Sequence, residues 1–355
     1  MDKFRINPLA EDLDHILDHT RELWEEFRGQ RIFITGGTGF FGCWLLESFA
    51  WINDKLNLDA EALVLTRNYE GFQKKAPHLA GHPSIKFLVG DIRTFKFPKA
   101  QFPYLIHGAV YNSIPGGKEN PLAMVDEMLQ GIKRVLDFCV QKKMKKMLLI
   151  STGAVYGPIP DSLLRIPEDF SGSFEPTVIA TVYHHLRRMM ESLCSLYAKT
   201  FGFELKIARC FSFIGPYLPL NGRFAVSDFI KEALLKRPLT IKGDGETIRS
   251  YLYTSDLTFW LWKILFQGKS CWPYNVGSEM PTTILELAKE IASNSKPPLA
   301  FQILKDRMLG VAQDKYVPNT DRVRNDLNLY QIISFTVAVK KTMHWYKKYY
   351  SAKEF

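Results

Sequence analysis

The run Arg31-Ile-Phe-Ile-Thr35-Gly36-Gly-Thr-Gly39-Phe40-Phe-Gly42 constrains this chain more than any other segment. Arg31 to Thr35 is β-branched and aromatic and reads as a short buried strand, and Phe40 to Ile52 reads as an apolar helix. Glycines at 36, 39 and 42 space a G-x-x-G-x-x-G turn between them. The first glycine permits the tight turn, the second lets a pyrophosphate approach the backbone, and the third lets the helix pack closely on the sheet. The N–H groups that open the helix at Phe40 then hold the anion. Glycine loops alone are common, but here strand, spacing and helix agree, and the agreement predicts a bound dinucleotide.

The 355 residues exceed one ordinary domain, so one large domain with a smaller lobe is expected. No apolar run reaches the roughly 18 residues that a membrane span needs. Residues 1–29 are rich in Asp, Glu and Arg and lack the apolar stretch of a secretory leader. Cys43, Cys139, Cys194, Cys210 and Cys271 are scattered and odd in number, which predicts reduced thiols and a cytoplasmic location. The formal charge of +9 is dispersed, and its densest run, Lys142 to Lys146, lies at a helix end where the dipole favours cations. The charge therefore suits phosphate-bearing ligands, with no nucleic acid or membrane partner expected.

Leu13, Ile16, Leu17, Leu23, Trp24 and Phe27 form one stripe of an amphipathic helix over residues 10–28, a cover or a subunit contact. Strand signals then recur at Ala62–Thr66, Ile85–Val89, Tyr104–His107, Lys146–Ser151 and Glu204–Arg209, with helices between most of them, notably 121–141 and 178–200. This alternation predicts an α/β, Rossmann-type, doubly wound parallel sheet. We expect a helical extension over 1–29, a dinucleotide-binding domain over 30–210, and mostly a substrate-binding lobe over 211–355, with part of the chain returning to the sheet.

Three segments add chemistry. Ser151-Thr152-Gly153-Ala154-Val-Tyr156-Gly157 follows a buried strand and carries hydroxyls to its carboxyl end. Tyr183 and Arg187 are one helical turn apart, on one face. Arg209-Cys-Phe-Ser212-Phe-Ile-Gly215-Pro216 follows another strand and opens the second lobe. Together with the glycine turn, this order resembles the extended short-chain dehydrogenase/reductase family, in particular its NAD(P)-dependent nucleotide-sugar epimerases and dehydratases, over roughly residues 30–330.

The resemblance implies that Thr152 holds the reacting sugar oxygen and that Tyr183 takes or returns the hydroxyl proton. A tyrosine is a weak base at neutral pH and needs a nearby cation to favour the phenolate. The family supplies it as a lysine that also holds the nicotinamide ribose; Arg187 stands there in this chain, keeping the charge but not the compact ammonium. Either the site tolerates a guanidinium or activation is weakened, and a cofactor-binding scaffold or redox sensor with lapsed catalysis is the alternative function.

Thr66 and Arg67 stand where NAD-binding members carry an Asp for the ribose diol, which favours NADP, with NAD possible and adenine stacking by Arg67 as the rival reading. Asp91 and Ile92 resemble the segment at the adenine, and His107 to Ala109 the segment beneath the cofactor. Arg249 is the candidate for the substrate diphosphate, with a surface ion pair as its rival. Ser212 stands where many members place a substrate-contacting Asn. The 4,6-dehydratases carry Asp-Glu after the threonine; Gly153 and Ala154 shift the expectation towards epimerisation, decarboxylation or simple oxidation and reduction. His184 and His185 diverge around a helix, so no metal site is expected. A homodimer is expected.

Overall fold

Apolar runs bounded by glycine, proline or charge become strands buried on both faces, as a parallel sheet covered by helices requires. The computed structural model describes residues 7–109, 120–220, 224–305 and 314–349. A helical segment, α1 (Ala10–Asp18) followed by a 3-10 helix (Arg21–Phe27), precedes the first strand. Then come β1 (Arg31–Thr35), α2 (Phe40–Leu56), β2 (Glu61–Thr66), α3 (Tyr69–Lys75), α4 (Pro77–Ala80), β3 (Ile85–Val89) and β4 (Tyr104–His107). Next are α5 (Pro121–Gln141), β5 (Lys146–Thr152), α6 (Val182–Phe201) and β6 (Glu204–Cys210). Shorter elements follow: β7 (Phe213–Ile214), α7 (Ala225–Leu234), β8 (Leu239–Ile241), β9 (Ile248–Arg249) and β10 (Leu252–Tyr253). The chain continues with α8 (Thr254–Gln267), β11 (Trp272–Val276), β12 (Thr282–Thr283) and α9 (Ile284–Ser293). It ends with β13 (Phe301–Ile303), β14 (Lys315–Tyr316), α10 (Asp321–Leu327) and α11 (Phe335–Tyr349).

The central sheet runs β11-β6-β5-β4-β1-β2-β3, parallel throughout. Successive residues of a strand face opposite sides. Ile32 and Ile34 of β1 join the core with α2, α8 and the N-terminal segment, while Phe33 packs with Phe138 of α5 and the α6 side. Strand order reverses between β1 and β4, which opens a crevice above their carboxyl ends, the position where such sheets bind ligands.

One difference from the sequence reading has a physical cause. The helix expected over 10–28 breaks at Thr20, whose hydroxyl donates to the Ile16 carbonyl and accepts from the Trp24 indole N–H. Trp24 thereby turns inward and meets Trp262 of α8 edge-on at 4.8 Å, making the segment part of the core. The chain leaves the sheet after β6, returns through α8, which packs on β5 and β6, and adds β11 beside β6. In the cap, β9 lies between β12 and β14, which pairs Arg249 with Tyr316 in register.

Candidate active site

The glycine turn sits at the crevice. Gly36 has a left-handed φ of +74°, and a Cβ there would lie 2.4 Å from the Gly108 carbonyl carbon, so only glycine lets β1 and β4 approach this closely. A Cβ on Gly42 would lie 2.3 Å from the Gly37 carbonyl carbon, so this glycine seats α2 on the turn. Gly39 differs: a Cβ there would meet only the Gly36 carbonyl oxygen, at 3.2 Å. The free side of Gly39, at the N-terminus of the 17-residue α2 that Phe40 opens, is the cradle a pyrophosphate fits. The residues therefore suit a dinucleotide.

The crevice floor is a fixed polar layer. His107 ends β4, is 2% exposed, and shares a 2.8 Å hydrogen bond between its Nδ1 and the Thr35 hydroxyl. Thr35 Oγ1 also accepts from the Ala109 N–H at 3.3 Å. Burial, and secondarily the Arg187 charge, pushes the His107 pKa down to about 3, so the ring is neutral and works from beneath by orienting backbone. At the other end, Thr66 ends β2 and Arg67 pairs with Glu127 of α5 at 3.1 Å. Asp91 accepts from the Arg93 backbone N–H and from its guanidinium Nε and Nη2, each at 2.8 Å, which holds its pKa down at about 2. Ile92 lies under Gly131 of α5.

Thr152 ends β5, and its hydroxyl accepts from the Ala154 N–H at 3.2 Å. Tyr183 lies in the first turn of α6, packed on the α5 side of the core. Tyr316 joins them: its hydroxyl lies 3.4 Å from Thr152 Oγ1. Burial first, with Tyr183's phenol adding to it, raises the pKa of Tyr316. Thr152 and Tyr316 thus share one neighbourhood, with Tyr183 close enough for its charge to bear on Tyr316. Sequence reading missed Tyr316, because a Lys-Tyr pair in a two-residue strand carries no spacing signal.

Arg187 is 2% exposed. Its Nη2 donates to the Ile150 carbonyl of β5 at 2.7 Å, its Nη1 lies 3.9 Å from the Met190 sulfur, and its Nε has no partner among the described residues. It has no carboxylate partner among them either. A buried cation without an acid is costly unless a negative group joins it.

Arg249 pairs with Asp314 at 2.6 Å, donates to the Ile248 and Asp314 carbonyls, and stands 6.0 Å from the Tyr316 ring centre. It is thus both ion-paired and beside the residue that reaches Thr152. Ser212 is half-buried just beyond β6, with its carbonyl accepting from the Leu252 N–H at 3.1 Å.

Behind the site, Arg209 forks onto Glu191, with Nη2 at 2.8 Å, and gives Nη1 to Tyr156 Oη at 2.9 Å. Ser151 donates to Glu191 at 2.5 Å and Tyr156 to Asn275 Oδ1 at 2.6 Å. This network ties α6, β5, β6 and β11 together, fixing the helix that carries Tyr183 relative to the strand that carries Thr152. Burial pushes the His184 pKa down, with His185 adding to it, and His184 Nδ1 lies 3.3 Å from the Ala154 carbonyl. Among the described residues no cluster of three His, Cys, Asp or Glu side chains could hold a metal, and no helix is long and apolar enough to cross a membrane.

The sequence model described as the NAD dependent epimerase/dehydratase family matches residues 32–277. The chain is 28% identical over 325 residues to UDP-glucuronic acid decarboxylase 1 of Xenopus tropicalis, covering 90% of this chain and 72% of that protein. It is 30% identical to UDP-glucuronic acid decarboxylase 1 of Danio rerio, covering 74% of this chain and 60% of that protein. In structure it is similar to an epimerase of Methanothermobacter thermautotrophicus, with a TM-score of 0.77, 20% identity, and coverage of 96% of this chain and 97% of that one. It is also similar to a UDP-glucuronic acid 4-epimerase of Bacillus cereus in complex with UDP-glucuronic acid and NAD, with a TM-score of 0.76, 20% identity, and coverage of 90% and 100%.

Proposed function

Since this chain belongs to the NAD-dependent epimerase/dehydratase family, we propose that it modifies a nucleotide-activated sugar and begins by oxidising the sugar at C4. The observation that carries this reading is the meeting of Thr152 and Tyr316, with Tyr183 near enough for its charge to bear on Tyr316, together with a buried Arg187 that lacks an acid partner among the described residues. Thr152 holds the reacting oxygen. Tyr183, as the phenolate, accepts its proton and becomes the phenol; that phenolate is the negative group for which Arg187 is prepared.

Gly39, Phe40, Asp91, Ile92, Ala109, Tyr183 and Arg187 would hold the dinucleotide, with Gly36, Gly42 and His107 shaping its bed. A bound nicotinamide would supply the hydride acceptor and donor for C4. Thr66 and Arg67 support NADP over NAD, and Lys75, whose Nζ donates to the Thr38 carbonyl at 3.2 Å, adds a cation beside the glycine turn. Arg249 takes the diphosphate, and Ser212 lines the sugar side.

The names of the relatives by sequence make UDP-glucuronic acid the first substrate to test. Once C4 is a ketone, the C5 carboxylate is β to it and carbon dioxide can leave without a protein base. This suits a chain with Gly153 and Ala154 after its threonine. The reducing compartment suggested by five free thiols supports a cytoplasmic location. Met189 and Leu196 of α6, seven residues apart and 55% and 61% exposed, support a homodimer through that helix.

The test is incubation of the protein and cofactor with UDP-glucuronic acid, UDP-glucose or UDP-N-acetylglucosamine, with products read by mass spectrometry. Loss of carbon dioxide, loss of water and a chromatographically distinct product of unchanged mass separate decarboxylase, dehydratase and epimerase. Tyr183→Phe should lower turnover by about 10²-fold or more while cofactor affinity is kept. Arg187→Lys should keep or raise it. Unchanged turnover in Tyr183→Phe overturns the mechanism.

A further inference from the structure

Three segments meet at the adenosine end of the crevice: Thr66-Arg67 after β2, Asp91-Ile92 after β3, and one face of α5. On that face Gly131 rests on Ile92, and Glu127, four residues earlier, lies one turn along. The two acids there are held differently. Asp91 is fully engaged by Arg93, with three hydrogen bonds at 2.8 Å. Glu127 makes its one ion pair among the described residues with Arg67, through one contact of 3.1 Å, and otherwise feels only the more distant charge of Arg93. The Glu127 side chain is 17% exposed, whereas that of Arg67 is 60% exposed and free to swing.

We propose that Glu127 sets the cofactor preference by competing with the ribose 2′-phosphate for Arg67. With a plain 2′-hydroxyl, the Arg67–Glu127 pair stays intact. A 2′-phosphate must draw the guanidinium away and leaves a half-buried carboxylate unpaired next to a dianion, a penalty that only the phosphorylated cofactor meets. The chain therefore binds NADP less tightly than Thr66 and Arg67 alone would allow, and keeps NAD usable. This inference rests on the reading of Arg67 as the 2′-phosphate ligand.

The experiment is calorimetric titration of NADP and NAD into wild type, Glu127→Gln, Arg67→Ala and the double variant, with thermal melting as a check on folding. Glu127→Gln keeps shape and removes charge. It should tighten NADP relative to NAD by about two- to fivefold, the scale of a partly exposed ion pair. Arg67→Ala should weaken NADP relative to NAD, and adding Glu127→Gln to it should shift the ratio by less than it does in wild type, because only the direct repulsion of the phosphate is then left to relieve. An unchanged ratio in Glu127→Gln, with Arg67→Ala still shifting it, overturns the role of Glu127 and spares that of Arg67. An unchanged ratio in Arg67→Ala overturns both.

Discussion

A methyl group at Gly39 and one at Gly42 should do opposite damage. At Gly42 it meets backbone at 2.3 Å, so Gly42→Ala should destabilise the fold by about 1–3 kcal/mol, the usual cost of overpacking, and lower the melting temperature. At Gly39 it meets only one carbonyl oxygen, at 3.2 Å. Gly39→Ala should therefore melt near wild type and bind dinucleotide about tenfold or more weakly, a loss of about 1.4 kcal/mol or more. Equal affinity in Gly39→Ala, read by cofactor fluorescence, would refute the cradle. The glycines were legible because their spacing is local to one turn. Thr152 and Tyr183 were legible for a related reason, each lying in a short motif at a strand end or helix start. Tyr316 was not, because 164 residues separate it from Thr152 and only the three-stranded cap sheet brings them together.

At the level of elements, hydrophobic period located the strands and most helices, but it could not show side chains that bond back to the main chain. Thr20 is such a case, and it split one expected helix in two. Nor could hydrophobic period show why Glu47 of α2, a carboxylate in an otherwise apolar stretch, is buried. It pairs with His78 Nε2 of α4 at 2.7 Å and accepts from the Tyr217 hydroxyl at 2.6 Å. The bond to Glu47 raises the His78 pKa against the opposing effect of burial. A histidine whose pKa is raised on folding stabilises the native state below its unfolded value, and that contribution is lost as pH rises through the folded value. The urea midpoint of wild type should therefore fall between about pH 6 and pH 8 by more than that of His78→Gln. Parallel pH profiles for the two proteins would refute the linkage.

For the whole molecule, the surface of α6 carries the sharpest test. Leu196→Glu places a charge in the apolar stripe of the proposed homodimer, on a residue already 61% exposed, so the subunit should fold as before. Light scattering should find monomers where wild type gives dimers; a dimer unaffected by Leu196→Glu and by Met189→Asp would move the interface elsewhere. Scale also explains what the sequence reading could and could not place. Alternation along the chain announces a parallel sheet, yet pairing of β11 with β6 is a contact between segments more than 60 residues apart, and nothing local encodes it. That pairing puts Thr152, Cys210 and Val276 side by side across three strands. Because the chain departs at Cys210 and is back in the sheet by Trp272, the cap has no single neck at which it could be severed. A fragment ending at residue 210 would leave β6 as an open sheet edge, primed to recruit a strand from another molecule, and would lack α8, which covers β5 and β6. Excision of the dinucleotide half as a free-standing module is thus ruled out by how the sheet is woven.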